Sequence, residues 1–309
     1  MSDTNKPVGY GHDNAGAAGG GNVGGGKPGV AHTVAADRSA GEGKAPTSNT
    51  FFIDDREIDI REGESIFRAA RRLDIKLPHL CYTPKPGYRA DGNCRVCMVE
   101  IEGERVLAAS CIRTPSPGMK VKTATDRAKT ARKMVAELLL TDQPAREVAH
   151  DPDSEFWKVA TRMELKQGRF PRRATPTPDR SHIAMAVNLD ACIQCNLCVR
   201  ACREVQVNDV IGMAGRGFGE KIVFDFDDPM GNSTCVACGE CVQACPTGAL
   251  MPATMVDDNN VYKGKPDRMV DSVCPYCGVG CQLTYQIKDD KIVAVAGKDG
   301  PANQNRLCV

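Results

Sequence analysis

Residues 192–202 read Cys-Ile-Gln-Cys-Asn-Leu-Cys-Val-Arg-Ala-Cys, and residues 235–246 read Cys-Val-Ala-Cys-Gly-Glu-Cys-Val-Gln-Ala-Cys-Pro. In both runs two residues separate each of the first three cysteines from the next, and three residues separate the third from the fourth. Four thiolates are what one iron–sulfur cluster requires. The two runs therefore predict two cluster sites.

The other cysteines extend the same pattern. The chain of 309 residues holds 16 cysteines, in four groups of four with none left over. We predict that all of them are metal ligands; the groups are Cys81, Cys94, Cys97 and Cys111; Cys192, Cys195, Cys198 and Cys202; Cys235, Cys238, Cys241 and Cys245; and Cys274, Cys277, Cys281 and Cys308. Four such sites in one chain indicate a conduit for electrons.

Disulfides and zinc are the other uses of so many cysteines. Residues 1–40 are polar and Gly-rich and lack the apolar segment of a signal peptide, so we expect a reducing compartment in which disulfides do not persist. Zinc accepts four-cysteine sites with Cys-x-x-Cys pairs, and one group by itself would leave zinc open. Three groups have spacings that zinc sites have no reason to share, which favours clusters for the set.

Composition limits the partners. The chain has 40 basic and 39 acidic residues and no basic run, so we expect no nucleic acid partner. No apolar stretch approaches 18 residues, so we expect no membrane span. Residues 1–50 include a glycine-rich run at 19–26 and are predicted to be a disordered tail.

Residues 51–125 contain the first group of cysteines. Residues 51–53 and 57–60 predict a hairpin, and Ser65 can cap a helix whose apolar residues recur on one face. Strands are predicted at 98–101 and 105–109. A hairpin, a helix and then a cysteine-bearing loop are the order of a ferredoxin-type β-grasp domain around a 2Fe-2S cluster.

The intervals within this group are 12, 2 and 13 residues. They resemble the N-terminal module of the large iron–sulfur subunit of complex I and its relatives. That family commonly continues with a histidine and three cysteines for a further 4Fe-4S cluster, but here Gln143 replaces the histidine and residues 112–191 contain no cysteine. We therefore expect residues 126–180 to be a helix, over 129–140, and a linker without a cluster. We expect His79, beside Cys81, to be structural rather than a ligand.

Residues 181–265 carry the two opening runs, which resemble the bacterial double-ferredoxin repeat. The resemblance implies that the fourth cysteine of each run binds the cluster of the other run. The implied sets are Cys192, Cys195, Cys198 and Cys245; and Cys235, Cys238, Cys241 and Cys202. Pro246 matches the repeat, whereas Arg203 departs from it. Residues 215–219, which are glycine-rich, are expected to form a plain turn.

The last group occupies residues 266–309. Residues 274–281 read Cys-Pro-Tyr-Cys-Gly-Val-Gly-Cys, and a predicted hairpin over 283–295 separates them from Cys308. A structural zinc ribbon also combines a hairpin with Cys-x-x-Cys, but Cys281 and Cys308 do not form a second such pair. The group resembles the N-terminal 4Fe-4S domain of molybdopterin oxidoreductases and is close to its formate dehydrogenase form.

The whole order, an α+β chain with a 2Fe-2S β-grasp domain, a double 4Fe-4S domain and a molybdopterin-type 4Fe-4S hairpin domain, resembles the alpha subunit of cytoplasmic NAD-dependent formate dehydrogenases. The resemblance implies one 2Fe-2S and three 4Fe-4S clusters. It implies a partner, the iron–sulfur beta subunit that binds flavin and NAD. It also implies molybdenum or tungsten on two molybdopterin guanine dinucleotides, expected only in a longer form because the chain stops at Val309, where the pterin-binding region would begin.

Two other function classes fit part of the pattern. An iron–sulfur subunit of a hydrogenase or of a complex I-like enzyme shares the first three groups, and the fourth group argues against a hydrogenase. A stand-alone electron-transfer module fits the end of the chain at Val309. We expect no catalytic residue within the 309 residues themselves.

The metal content separates clusters from zinc. Three four-iron clusters and one two-iron cluster predict about 14 iron atoms and an equal amount of acid-labile sulfide per reconstituted chain. Metal analysis and sulfide determination measure both quantities. Stoichiometric zinc without sulfide would falsify the cluster assignment.

Overall fold

The computed structural model describes residues 49–174 and 176–308, so the predicted N-terminal tail lies outside the described residues except at its last two positions. The helices are α1 (Ile66–Arg72), α2 (Asp126–Leu139), α3 (Glu155–Arg162), α4 (Leu197–Arg200) and α5 (Glu240–Ala244). The strands are β1 (Thr50–Ile53), β2 (Arg56–Asp59), β3 (Met98–Ile101), β4 (Ala108–Ala109), β5 (Lys120–Lys122), β6 (Met185–Val187), β7 (Ile211–Ala214), β8 (Lys221–Phe224), β9 (Leu250–Pro252), β10 (Arg268–Val273), β11 (Gln282–Lys288) and β12 (Lys291–Gly297).

The N-terminal sheet has the strand order β2-β1-β5-β3-β4. The predicted hairpin is confirmed, because Asp54 and Asp55 both adopt positive φ, at 46° and 65°, which gives the tight turn that matches strand twist. Strands β1 and β5 pair in parallel, and the chain between them carries α1 and the cysteine loop. This connection between β1 and β5 places the first group of cysteines beside the sheet.

Helix α1 lies against that sheet for a local reason. The Ser65 side chain accepts a hydrogen bond from the Arg68 backbone N–H and caps the helix as predicted. The apolar face of the helix then packs into a core with the sheet, and its largest fully buried side chains include Phe51, Ile53 and Phe67.

Two sequence predictions in this region need correction. The strand predicted at 105–109 is only β4, because Gly103 turns the chain at a φ of 83° and the Glu104 N–H bonds to the Ile101 carbonyl. The helix predicted at 129–140 begins earlier, at α2, because the Thr125 hydroxyl accepts from the Ala128 N–H and caps it there.

The two cysteine runs fold differently at their ends. In the second run Pro246 lacks an N–H, and α5 ends at Ala244. In the first run Arg203 stands in the equivalent place, and the chain continues from α4 into a π-helical turn, Ala201–Val205, that contains Cys202. Strand pairs β6-β9 and β7-β8 flank the runs, and residues 217–219 form the turn between β7 and β8.

The C-terminal sheet has the order β10-β11-β12. The predicted hairpin is β11 and β12, whereas β10 was not predicted. Every residue of β10 is exposed, so its sequence lacks the alternation of apolar and polar residues that predicts a half-buried strand. Leu283 is a buried apolar residue on the central strand.

The part of the chain that the structure describes has no helix long and apolar enough to cross a membrane.

Core packing in the N-terminal sheet gives a direct stability test. Phe67 is 1% exposed, and its ring packs edge-on against His79 and Tyr82, so Phe67→Ala is expected to lower the free energy of unfolding by about 3–5 kcal/mol. Phe226 is 97% exposed, and Phe226→Ala is the matched control, with an expected change within about 0.5 kcal/mol. Urea unfolding of both variants at equal iron loading measures the difference, and equal losses would contradict this packing.

Candidate iron–sulfur cluster sites

The first site is the cysteine loop of the N-terminal domain. Its four thiols, from Cys81, Cys94, Cys97 and Cys111, are all buried. The Cys81 N–H donates to the Cys94 Sγ at 3.4 Å, and the Cys94 N–H donates to the Cys81 Sγ at 3.3 Å. Hydrogen bonds from Cys111 and then from Cys94 lower the pKa of Cys81. The loop thus brings the four predicted ligands together and turns backbone donors towards sulfur.

His79 lies next to this loop. Its Nδ1 is 3.3 Å from the Leu77 carbonyl oxygen, and its ring centroid is 4.8 Å from that of Phe67. Burial lowers the pKa of the imidazole, which favours the neutral ring. These contacts give His79 a packing role in the loop.

The second site combines the two runs. A small cavity is lined by Cys192, Cys195 and Cys198 of the first run and by Cys245 of the second. Burial, and then the charge of Cys245, raises the pKa of Cys195. The structure therefore groups these four thiols in the crossed manner that the double-ferredoxin spacing implies, and their ligation of iron stays a prediction.

The third site is the reciprocal set. Cys202 sits in the π-helical turn, where its Sγ accepts from the Val210 N–H at 3.3 Å. Burial raises the pKa values of Cys235, Cys238 and Cys241, and the charge of Cys202 raises all three further. The fourth cysteine of the first run thus lies beside the first three of the second.

Backbone conformation repeats between the two runs. Gln194 and Asn196 have φ values of 49° and 64°, and the equivalent Ala237 and Gly239 have 62° and 74°. Left-handed residues at these positions turn successive N–H groups to one side and make a concavity that binds anions, as iron–sulfur sites require. The Ala237 N–H, for example, donates to the Cys235 Sγ at 3.4 Å. Non-glycine residues held in this conformation mark the runs as ligand turns.

Burial decides the electrostatics of these sites. It raises the pKa of Cys192 to about 12 and that of Cys198 well above the ordinary value. A raised thiol pKa means that the buried thiolate is destabilised in the protein alone. A positively charged iron–sulfur core removes that penalty, so the donor sets fit the group that they are predicted to hold.

The fourth site lies on the C-terminal sheet. Cys274, Cys277, Cys281 and Cys308 all line one cavity of about 920 Å³. The Cys274 N–H bonds to the Cys281 carbonyl at 2.8 Å and closes the turn between them. Cys277 and Cys308 are exposed, so this is the most accessible of the four groups.

Asn303 brings Cys308 back to its group. Its Oδ1 accepts from the Gln282 N–H at 3.0 Å, and its Nδ2 donates to the carbonyls of Gln282 and Arg306, each at 2.9 Å. These bonds fold the chain after β12 onto the start of β11. Sequence reasoning missed Asn303, because an asparagine that binds a residue 21 positions away carries no local signal.

Gln143 occupies the place of the histidine ligand expected from the complex I-like module. Its side chain is buried, and its Nε2 donates to the Ala191 carbonyl at 2.7 Å, immediately before Cys192. The residue therefore ties the linker to the first ligand run. Among residues 49–174 and 176–308, no three His, Cys, Asp or Glu side chains converge closely enough to hold a single metal ion.

The four sites follow one another through the molecule. The charge of Cys81 in the first site contributes to the raised pKa of Cys195 in the second. The charge of Cys241 in the third site likewise contributes to the raised pKa of Cys198 in the second. Cys238 of the third site lines the cavity of the fourth group. Each site therefore lies near the next one, and the bond of Tyr88 with Glu240 also brings the N-terminal loop close to the Cys235 site.

Three protein families match the chain. Residues 47–126 match the 2Fe-2S iron–sulfur cluster binding domain, residues 191–249 the 4Fe-4S dicluster domain, and residues 267–309 the molybdopterin oxidoreductase Fe4S4 domain. The chain is built from these three kinds of iron–sulfur domain. The predicted α+β fold class, with its three domain types, is confirmed.

Several curated proteins are similar to this chain in sequence. The chain is 32% identical to an NADH-quinone oxidoreductase subunit of Rhizobium meliloti over 83% of the chain and 30% of the relative. It is 33% identical to the NADP-reducing hydrogenase subunit HndD of Solidesulfovibrio fructosivorans over 72% of the chain and 39% of the relative. It is 24% identical to a Staphylococcus haemolyticus protein named "Putative formate dehydrogenase", over 83% of the chain and 30% of the relative.

A solved structure agrees with these matches. The chain resembles a chain of an NAD+-reducing [NiFe]-hydrogenase in the H2-reduced state, with a TM-score of 0.60 and 26% identity over 67% of the chain and 88% of the hydrogenase chain. The chain spans about a third of the length of the curated relatives that it matches. It therefore shares the iron–sulfur part of oxidoreductase subunits.

The crossed grouping predicts which cluster each serine substitution affects. Cys245→Ser is expected to perturb or remove the cluster of Cys192, Cys195 and Cys198, and Cys202→Ser that of Cys235, Cys238 and Cys241, because each cube loses one thiolate. Each variant is the control for the other. Electron paramagnetic resonance (EPR) spectra and iron content, with a loss of about four irons if the cluster falls out, measure the effect. If each substitution instead perturbed only the cluster of the run in which it lies, the ligation would be uncrossed.

Proposed function

We propose that the chain is a four-cluster electron relay, with one 2Fe-2S cluster in the N-terminal loop and three 4Fe-4S clusters in the sites that follow. The proposal rests on the proximity of the four cysteine sets, because each set lies near at least one other set. Iron–sulfur clusters supply one-electron exchange. The chain's own residues bury the thiolates, aim backbone N–H groups at them and hold neighbouring sites together.

Formate oxidation is the reaction that we assign to the complete enzyme. The C-terminal match to the molybdopterin oxidoreductase Fe4S4 domain supports it, as does the relative named for formate dehydrogenase. In this proposal molybdenum or tungsten on two molybdopterin guanine dinucleotides, in a longer form, delivers electrons to the C-terminal site. A partner subunit with flavin and NAD takes them from the N-terminal 2Fe-2S end, and formate and NAD become carbon dioxide and NADH.

A hydrogenase or complex I-like assembly is the second candidate, and specific observations favour it. The solved structure that the chain resembles is an NAD+-reducing hydrogenase, and the relatives include a hydrogenase subunit and a quinone oxidoreductase subunit. In such an assembly the same relay connects a different catalytic centre to NAD. The proposed order of the clusters is common to both candidates.

Two assays test the proposal in sequence. The reconstituted 309-residue chain is expected to be reduced by dithionite and reoxidised by ferricyanide, but to show no turnover with formate and methyl viologen. Sustained formate oxidation without added pterin cofactor would contradict the assignment of this chain as the relay.

The native assembly then separates the two candidates. Formate-dependent NADH production that is lost in Cys277→Ser, with the N-terminal 2Fe-2S signal retained, supports the formate reaction. Hydrogen-dependent NADH production instead supports the hydrogenase reaction. Cys277→Ser is suited to this assay because the residue is exposed.

A further inference from the structure

We propose that Arg200 is the positioning residue that locks the first site onto the second and so sets the contact for electron exchange between them. This inference rests on the proposed relay, and it concerns one side chain that neither the cysteine spacing nor the domain matches assign. Arg200 ends α4 and lies between two predicted ligands, Cys198 and Cys202. Its side chain is only 3% exposed.

The guanidinium binds a ligand carbonyl from each site. Its Nη2 donates to the Cys81 carbonyl at 2.7 Å and lies 3.3 Å from the Cys195 carbonyl. A single nitrogen therefore connects the main chain of a first-site ligand with that of a second-site ligand. These bonds form a continuous covalent and hydrogen-bonded route from one sulfur to the other.

The other donors of Arg200 hold the rest of the loop. Its Nη1 donates to the Arg89 carbonyl, and its Nε lies 3.1 Å from an Asp91 carboxylate oxygen. Asp91 is itself largely buried and precedes the ligand turn of Cys94. The guanidinium thus contacts the loop at three points along residues 81–91. Three contacts fix the orientation of the loop, which a single contact could not do.

Charge supports the same role. Reduction adds an electron to either neighbouring site, and a buried cation between them stabilises the reduced state. The Asp91 carboxylate balances part of that charge and keeps the guanidinium in place. The side chain therefore both positions the two sites and favours the presence of an electron at their junction.

Nearby arginines do not share this geometry. Arg203 is one residue beyond Cys202, but its side chain is 54% exposed and pairs with the exposed Asp209. Arg203→Lys is therefore a matched control on the same turn. Arg200→Lys keeps the charge, but an ammonium group cannot reach the carbonyls of Cys81 and Cys195 together with Asp91.

The experiment uses the full chain with its clusters, after iron and sulfide have been counted. Hydrogen–deuterium exchange reports how firmly residues 82–94 are docked. The broadening of the 2Fe-2S EPR signal by the reduced neighbouring cluster reports how close the two sites are. In a third measurement a photoreduced deazaflavin supplies one electron, which redistributes between the sites with no bond formed or broken.

In Arg200→Lys we expect amide exchange in this loop to be about tenfold faster, the factor for loss of one charge-assisted hydrogen bond, and electron redistribution to be slower because the two sites are held less closely. The EPR broadening should also decrease, while Arg203→Lys should match the parent chain. If Arg200→Lys loses a cluster, Asp91→Asn becomes the deciding variant, because it removes the carboxylate that keeps the guanidinium in place and should therefore also speed amide exchange and reduce the EPR broadening.

Unchanged exchange, broadening and redistribution in Arg200→Lys would overturn the positioning role. If Arg200→Lys cannot hold its clusters, unchanged exchange, broadening and redistribution in Asp91→Asn would overturn the positioning role. A parent chain without iron and sulfide would instead refute the proposed relay itself, so the two failures are distinct.

Discussion

The structure depends on one electrostatic constraint: a thiolate removed from water needs positive charge and N–H donors close to it. Burial raises the pKa of most cysteines in the two central runs, Cys198 and Cys241 most clearly. The repeated left-handed residues of the ligand turns provide backbone N–H donors, and the proposed cluster cores would supply the positive charge. We therefore expect metal loading and folding to be coupled in this chain.

A second dependence joins the N-terminal loop to the central runs. Leu80, Cys81, Cys94 and Val96 belong to the same buried cluster as the thiols of the first run, not to the core of their own sheet. Tyr88 adds a buried hydrogen bond of 2.8 Å to Glu240, between two ligands of the third site. The ligand loop thus packs outward, against both central sites, and this packing joins what the sequence presents as separate domains.

The cysteine groups, the first hairpin, the cap of α1 and the C-terminal hairpin could be predicted because their signals are local: fixed spacing, alternation and capping residues. The π-helical turn at Cys202 was harder to predict from the sequence. Because Arg203 stands where the repeat has a proline, the backbone after Cys202 can adopt several conformations. β10, Asn303 and Arg200 were not predicted. Their roles come from pairing and hydrogen bonds between residues far apart in the sequence, such as Arg200 with Cys81. The grouping of the cysteines was therefore predictable, whereas the contacts that join one site to the next were not.

Anomalous diffraction at the iron absorption edge tests the central claim most directly, because it locates iron independently of any assumption about ligands. Four separate iron clusters are expected, each near the next, from a two-iron cluster at Cys81 to a four-iron cluster at Cys274. Cys245 is expected on the cluster of Cys192, and Cys202 on that of Cys235. Single-ion peaks, or a cluster at Cys274 that neighbours the two-iron cluster and not the Cys235 site, would contradict this claim.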